Sequence, residues 1–164
     1  MIYILEGPDG VGKTTLAHAI QEKTKGHILH CTWKKDWDMK QYFEEIMEAA
    51  KKLDEKQDVV IDRWAPSEWV YGHVFRGGPA FDIDEFLQDY VFDENIKWIM
   101  CKHPQAVANH LKNKEIREEM FEDMTDVVAN FSLFQMDRPE MNWIDYDYTK
   151  LRLEDWVDEH ITRR

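Results

Sequence analysis

The sequence predicts a three-layer α/β domain in which helices flank a five-stranded parallel sheet. Short apolar, β-prone runs alternate with longer stretches of helical periodicity, and strands separated by helices form parallel βαβ units. The first run leads directly into residues 7–14, a complete G-x-x-x-x-G-K-[ST] phosphate loop between strand and helix. With 164 residues, 43% of them hydrophobic, the chain is predicted to be one domain spanning residues 1–164.

The strands are predicted from apolar runs, and the helices from apolar residues at helical spacing. The predicted strands are residues 2–6, 27–31, 58–62, 96–102 and 142–146. The predicted helices are residues 13–25, 38–55, 65–75, 82–93, 104–112, 115–135 and 150–162. Parallel sheets of this kind bind ligands at the carboxyl ends of their strands, so we look for functional residues there.

Local signals support individual helices. In residues 38–55 an apolar stripe at helical spacing indicates core packing; it comprises Tyr42, Phe43, Ile46, Met47, Ala50 and Leu53. Asp82 or Asp84 can cap the helix that follows it, since aspartate is a preferred N-cap residue. Pro104 suits the first turn of the next helix, where a missing N–H costs nothing.

The composition of the phosphate loop follows from the chemistry of phosphate binding. A triphosphate needs many N–H donors at short range, and glycines without a Cβ let the backbone turn sharply and approach the anion. The helix that begins near Lys13 adds free N–H groups and the positive end of its dipole. Lys13 supplies a cation for the β- and γ-phosphates, and the Thr14 hydroxyl is placed to bind Mg²⁺.

The motif therefore predicts ATP and Mg²⁺ as cofactors. The residues predicted to bind the nucleotide are Asp9, Gly10, Val11, Gly12, Lys13, Thr14 and Thr15.

A second candidate site lies at the end of the third predicted strand, which finishes in Asp62 and Arg63. In a phosphate-loop fold, a carboxylate at this position can reach the Mg²⁺ shell or orient the acceptor. The Arg63 guanidinium can hold an anionic acceptor through two parallel hydrogen bonds. We therefore predict that Asp62 contributes to the metal site and that Arg63 is catalytic.

These segments resemble the thymidylate kinase family of nucleoside monophosphate kinases. Residues 5–15 are similar to the family's phosphate loop, including its acidic residue in mid-loop. Residues 62–64 read Asp-Arg-Trp and, with Ser67 and Tyr71 after them, are similar to its Asp-Arg-aromatic motif and the following helix. The resemblance extends through most of the chain, and it implies a P-loop kinase fold.

The resemblance implies transfer of the ATP γ-phosphoryl group to a nucleoside monophosphate, with thymidylate (dTMP) as the default acceptor. In that reaction Asp9 binds a hydroxyl of the acceptor sugar, and Arg63 holds the acceptor phosphate. Ser67 and Tyr71 contribute to the acceptor site, where Tyr71, together with Trp64, packs on the base. Lys13, Asp62 and Arg63 are the implied catalytic residues, and Thr14 and Asp62 the implied metal ligands.

The sequence departs from the family at three places. An arginine that the family often carries on the next helix, near the base, has no evident equivalent in residues 40–43, so another deoxynucleotide or a modified pyrimidine is an alternative to thymidylate. Residues 31–37 replace the family's Arg-Glu-Pro-Gly-Gly-like segment, so Trp33, Lys34 or Lys35 is a candidate acceptor-binding residue there. Relatives carry a catalytic arginine either in the phosphate loop or in the lid, and here Gly10 occupies the loop position. The short lid is therefore expected to supply the cation. Arg117 is the first candidate, followed by Lys112 and Lys114.

Other functions remain compatible with the same residues. One alternative is a deoxynucleoside kinase, which would use the carboxylate at position 62 as a base. A second is a kinase that acts on a modified pyrimidine or its DNA, and a third is a nucleotide-binding module without catalysis. A GTPase-like switch is disfavoured, because the sequence has no Asn/Thr-Lys-x-Asp guanine motif and no Asp-x-x-Gly at the end of the third predicted strand.

Composition bounds the partners of the protein. The formal net charge of −12 disfavours stable binding to nucleic acid or to an anionic membrane, which attract basic surfaces. The first strand begins at residue 2 without a basic leader, and the two cysteines lack metal-site spacing. We therefore expect a cytoplasmic enzyme that acts on small nucleotides, and the family resemblance suggests a homodimer.

Overall fold

Five parallel strands form the centre of the protein. They are β1 (Ile2–Glu6), β2 (His27–His30), β3 (Val59–Asp62), β4 (Ile96–Cys101) and β5 (Ile144–Tyr146), and their spatial order is β2-β3-β1-β4-β5. The computed structural model describes residues 1–102 and 118–162. The predicted α/β fold with a five-stranded parallel sheet is confirmed.

Six α-helices connect or follow the described strands. They are α1 (Lys13–Thr24), α2 (Met39–Asp54), α3 (Ala65–Phe75), α4 (Ile83–Leu87), α5 (Glu118–Met136) and α6 (Leu153–His160), with a short 3₁₀ helix at Pro139–Met141. None of the helices in the described part of the chain has the length and hydrophobicity of a membrane-spanning segment.

The sheet has a hydrophobic core on each face, because side chains on a strand alternate between its two sides. On one face Ile2 and Ile4 pack with residues of α2, α3, α4 and α5. On the other face Tyr3 and Leu5 pack with residues of α1 and α6. β1 lies between β3 and β4, so both cores include its side chains and the phosphate loop leaves from the centre of the sheet.

Helix boundaries follow local capping where it is present. The Asp38 carboxylate accepts the Gln41 N–H at 3.0 Å before α2, and the Asp82 carboxylate accepts the Glu85 N–H at 3.0 Å before α4. Of the two capping aspartates that the sequence allows, Asp82 is therefore the one used. These bonds satisfy N–H groups that a helix start leaves without partners.

Several predicted elements have different bounds in the structure; the helix predicted for residues 150–162, for example, is Leu153–His160. The helix predicted for residues 82–93 stops at Leu87 and continues as turns, in which Leu87 O accepts both the Tyr90 and the Val91 N–H groups. Tyr90 meets the ring of Trp64 at 5.0 Å, so tertiary packing overrides helical continuation. The strand predicted to begin at residue 142 begins at Ile144, because Asn142 adopts a left-handed conformation after the 3₁₀ helix. The helix predicted for 104–112 lies outside the described residues.

Gly7 makes the tightest backbone contact at the base of the phosphate loop. Its φ is +138°, and a Cβ placed on it would lie 2.1 Å from the carbonyl oxygen of Cys101. No side chain fits at that distance, so the backbones of the loop and of β4 meet directly. This contact fixes where the phosphate loop leaves the sheet.

We predict that Gly7→Ala lowers the free energy of unfolding by about 1–3 kcal/mol, the usual cost of overpacking, and weakens ATP binding by displacing the loop. Gly77→Ala is the matched control, because Gly77 also has a positive φ (+76°) but would meet nothing within 4 Å. Urea unfolding and ATP titration of both variants provide the measurement. Equal effects of the two substitutions on ATP binding would contradict the role given to the contact with β4.

Candidate active site

Three strand ends bring the predicted site residues together. β1 runs into the phosphate loop, β3 ends at Asp62, and its neighbour β2 ends at His30. Two cavities open there. The first, here the loop cavity, has a volume of about 240 Å³; it is lined by Asp9, Gly10, Gly12, Lys13, Thr14, Thr15, His30, Asp62 and Arg63.

The second, here the side cavity, has a volume of about 300 Å³ and lies beside the first. It is lined by Asp9, His30, Cys31, Thr32, Trp33, Phe43, Arg63, Trp64, Ser67, Glu68 and Tyr71. Asp9, His30 and Arg63 line both cavities, so the two spaces meet at these side chains.

The loop cavity is suited to an anion. Gly12 has a left-handed conformation (φ 82°) at the N-cap of α1, and no side chain caps this helix, so its first N–H groups are available to a ligand. The hydroxyl-bearing residues Thr14 and Thr15 line the cavity as well. The side chain of Val11, another predicted nucleotide-binding residue, packs in the core and leaves only its backbone for such a role.

Lys13 is a buried cation within this cavity. Its Nζ donates a hydrogen bond to the carbonyl oxygen of Pro8. Burial, reinforced by the nearby guanidinium of Arg63, lowers the pKa of Lys13 to about 8. A bound phosphate would supply the negative charge that this ammonium lacks, so the cavity is electrostatically prepared for an anion.

Arg63 connects the phosphate loop to the start of α3. Its Nη1 donates to Gly7 O at 3.1 Å, its Nη2 donates to Asp9 Oδ1 at 2.5 Å, and its guanidinium lies 5.1 Å from the centre of the Tyr71 ring. The residue adopts a φ of +67°, a left-handed conformation that costs a non-glycine residue about 1 kcal/mol or more. The contacts to the loop hold the guanidinium where the two cavities meet.

Asp62 is buried and only partly satisfied. Its Oδ2 lies 3.0 Å from His30 Nδ1, while its Oδ1 has no hydrogen-bond partner among the described residues. A buried carboxylate oxygen without a partner is costly unless a ligand completes it. Asp62 and the exposed Thr14 both line the loop cavity and offer the oxygen atoms that Mg²⁺ prefers. These residues therefore fit the metal that the phosphate-loop motif implies.

The sequence analysis missed several polar residues of the site, among them His30 and Glu6. His30 is held by Asp62 and lines both cavities. Its position as a polar residue at the end of the strand beside β3 could have indicated a role in the site. Glu6 is fully buried, and its carboxylate accepts hydrogen bonds from the Trp64 N–H at 2.7 Å and the Ser67 hydroxyl at 2.5 Å. A carboxylate that ends an otherwise apolar strand before the phosphate loop could have indicated its role.

Glu6 ties the end of β1 to the first turn of α3. Burial raises the pKa of Glu6 to about 7, although the bonds from Ser67 and Trp64 and the charge of Arg63 oppose this shift. Ser67, predicted as an acceptor-binding residue, uses its hydroxyl hydrogen for this bond and also lines the side cavity.

The aromatic residues predicted to contact the acceptor divide into two groups. Trp33 is 45% exposed at the side cavity, and Tyr71 lines the same space. The prediction that Trp64 stacks on a base needs correction, because its side chain is 0% exposed. Its indole N–H donates to Phe43 O at 3.1 Å, and its rings pack in the core. Arg117, Lys112 and Lys114, the candidates for a lid cation, lie outside the described residues.

Comparisons with known proteins agree with this geometry. The profile described as ATPase family associated with various cellular activities (AAA) matches residues 3–62, which run from β1 to the end of β3. No curated protein is significantly similar to the chain in sequence.

Solved structures share the fold over nearly the whole chain. YorR protein from Bacillus subtilis, in complex with phosphorylated GDP, is 16% identical, with a TM-score of 0.75 over 98% of this chain and 94% of its own. Deoxyadenosine kinase from M. mycoides with dCMP and dCDP is 14% identical, with a TM-score of 0.59 over 97% and 96%. Thymidylate kinase from Ehrlichia chaffeensis is 16% identical, with a TM-score of 0.59 over 98% and 96%. The chain therefore has the fold of P-loop kinases.

We predict that the Glu6→Gln variant becomes more stable relative to the parent protein as the pH rises. Because the pKa of Glu6 is about 7 in the folded protein against an ordinary 4.5, the folded protein retains a proton that the unfolded chain has released between these values. Stability from this group therefore falls by about 3 kcal/mol as the pH rises through that window, and the glutamine variant escapes this loss. Urea unfolding at pH 4.5 and 8 measures it, with exposed Glu94→Gln as the control. A pH-independent difference between parent and Glu6→Gln would refute the assignment.

We predict that Lys13→Ala weakens ATP binding about 30-fold or more, the usual cost of removing one partner of a buried charge pair. Titration of nucleotide into both proteins, followed calorimetrically, measures the loss. Lys56→Ala removes a lysine from an exposed position and serves as the control for net charge. Unchanged affinity in Lys13→Ala would remove the phosphate loop from nucleotide binding.

Proposed function

We propose that the protein is an ATP-dependent kinase that transfers the γ-phosphoryl group of ATP to a nucleoside monophosphate. The observation that carries the proposal is the guanidinium of Arg63 where the two cavities meet. A cation held there by the phosphate loop is suited to an acceptor phosphate that faces a donor phosphate.

The loop cavity serves the donor in this proposal. The free N–H groups at the start of α1, the Lys13 ammonium and the hydroxyls of Thr14 and Thr15 surround the space in which the ATP phosphates bind. Thr14 and Asp62 would hold Mg²⁺, which supplies neutralisation of the phosphate charge when bound. Asp62 has one oxygen engaged by His30 and the other without a partner among the described residues, so it can hold His30 and serve the metal shell together.

The side cavity serves the acceptor. Arg63 binds the acceptor phosphate at the junction, and Asp9, which accepts from Arg63 and lines both cavities, orients the guanidinium and binds the sugar, as the family resemblance implies. Trp33 and Tyr71 line the wall against which a base packs, and the core side chains of Phe43 and Trp64 lie behind this space. With a guanidinium at the junction and aromatic side chains in its lining, the side cavity suits a molecule with one anionic and one aromatic end.

The chemistry requires positioning more than covalent help. Holding the two phosphates in line and neutralising their charge lowers the barrier. Lys13 and Arg63 both line the loop cavity and supply fixed positive charge there, and the surrounding protein excludes part of the water that would weaken this charge. The contacts of Arg63 with Gly7 and Asp9 hold this guanidinium in place before substrate arrives.

A deoxynucleoside kinase is the second candidate. The observation that favours it is the buried oxygen of Asp62, which has no partner among the described residues and could accept a proton from a hydroxyl acceptor. A structurally similar protein is a deoxyadenosine kinase. In that case Arg63 has no acceptor phosphate to bind, so comparing a nucleoside with its own monophosphate separates the two functions.

The identity of the base is a finer part of the proposal. The family resemblance makes dTMP the acceptor to test first. The similar structures hold phosphorylated GDP in one case and dCMP with dCDP in another, so guanine and cytosine nucleotides belong in the same screen.

We predict that incubation with Mg·ATP gives acceptor-dependent ADP with at least one nucleoside monophosphate, and that the matching nucleoside gives less. Arg63→Ala should lower kcat/KM for that monophosphate about 30-fold or more while leaving activity toward the nucleoside, where present, less affected. Arg152→Ala, at an exposed arginine paired with Asp155, is the control. A coupled ADP assay provides the readout, and no signal with any monophosphate would defeat the proposal.

A further inference from the structure

Glu68 is a charged residue of the side cavity that neither ATP nor an acceptor phosphate uses. The residues at the junction, Asp9, His30 and Arg63, also line the loop cavity, whereas Glu68 lines the side cavity alone. Glu68 lies on α3, and the residue is 4% exposed. The side cavity therefore has a guanidinium where it meets the phosphate loop and a buried carboxylate elsewhere in its wall. These opposite charges distinguish the two ends of a ligand.

The carboxylate of Glu68 is held firmly. Arg76 Nη1 donates to Oε1 and Arg76 Nη2 donates to Oε2, both at 2.8 Å, and the Ala80 N–H donates to Oε1 at 2.9 Å. A carboxylate has about four acceptor sites. Among the described residues, Oε1 therefore has its two donors, and Oε2 retains one site for a further donor.

The partner of Glu68 also reaches the aromatic wall. The guanidinium of Arg76 lies 4.7 Å from the centre of the Trp33 ring, and Trp33 lines the same cavity. Glu68, Arg76 and Trp33 thus form one connected group beside the space proposed for the base. Since the carboxylate is fixed through both oxygens, a base in this space meets an acceptor whose position is already set.

Resting on the proposed function, we propose that Glu68 is a specificity-determining residue that selects an acceptor whose base carries an amino group: cytosine, adenine or guanine. A carboxylate can only accept hydrogen bonds, and an exocyclic amino group offers it a donor. Thymine presents a carbonyl oxygen at the corresponding edge, and its single N3–H is flanked by two carbonyls that repel the carboxylate. The acceptor is therefore not thymidylate, the default that the family resemblance implies.

The size of the preference follows from the cost of placing the Glu68 carboxylate against a thymine carbonyl oxygen with no proton between the two oxygen atoms. Sites that read an N–H group discriminate strongly against ligands that lack it, because the buried polar group is left without its partner. One such contact to a base gives about 10- to 100-fold discrimination. We expect a preference of this size in kcat/KM for the best amino-bearing monophosphate over dTMP.

The test compares kcat/KM for dAMP, dCMP, dGMP and dTMP in the parent, Glu68→Gln and Arg76→Gln. The parent should prefer one of the first three by about 10-fold or more. Glu68→Gln should move the ratio at least about 10-fold toward dTMP, because an amide can donate to the thymine carbonyl and accept from its N3–H. Arg76→Gln should keep the parent's order of preference, since the carboxylate remains.

The outcomes separate this proposal from the proposed function. Thymidylate as the best acceptor of the parent overturns the role of Glu68 and leaves the kinase assignment intact. Equal losses for all four acceptors in both variants, with lower melting temperatures, also overturn it, since Glu68 then only anchors the segment from Arg76 to Ala80. If the parent phosphorylates no monophosphate at all, the proposed function itself fails. Should Glu68→Gln fail to fold, the preference of the parent alone still decides.

Discussion

The attachment of the phosphate loop to the end of β3 through Arg63 is the interaction on which the rest of the site depends. The guanidinium donates to the backbone of Gly7 and to the carboxylate of Asp9, so the first half of the loop is fastened to a neighbouring strand. The left-handed backbone of Arg63 is tolerated because these contacts over-determine it. With this attachment in place, the anion site of α1 and the side cavity face one another across a single charged junction.

Buried charge is concentrated where the strands end. Glu6, Lys13 and Asp62 lie within the protein with Arg63 among them, and the charge of Arg63 acts on the pKa of both Glu6 and Lys13. Burial disfavours ionisation of both Glu6 and Lys13, raising the pKa of the first and lowering that of the second. Such an arrangement is costly for folding alone, and groups with strongly shifted pKa values are concentrated at functional sites. The rest of the domain compensates with two apolar cores, one on each face of the sheet.

The sequence predicted the fold and the centre of the site because both follow from local patterns. Apolar runs located all five strands, and the glycine spacing located the loop. What it could not predict depends on tertiary contacts. Glu6, His30 and Glu68 acquire their surroundings only when strands and helices distant in sequence pack together. Trp64 was misread for the same reason, since its place after a strand end did not reveal that Phe43 and Tyr90 enclose it. The helix predicted from residue 82 was too long because packing, rather than propensity, ends it.

The common wall of the two cavities has a thermodynamic consequence. Asp9, His30 and Arg63 border both cavities. A ligand that binds in one cavity therefore changes the hydration and the charge around side chains that a ligand in the other cavity also contacts. The affinities for the two ligands are therefore linked, and each ligand changes the binding of the other by the same factor. In the proposed reaction, donor and acceptor recognition form one coupled equilibrium, in which neither dissociation constant is a property of its own pocket alone.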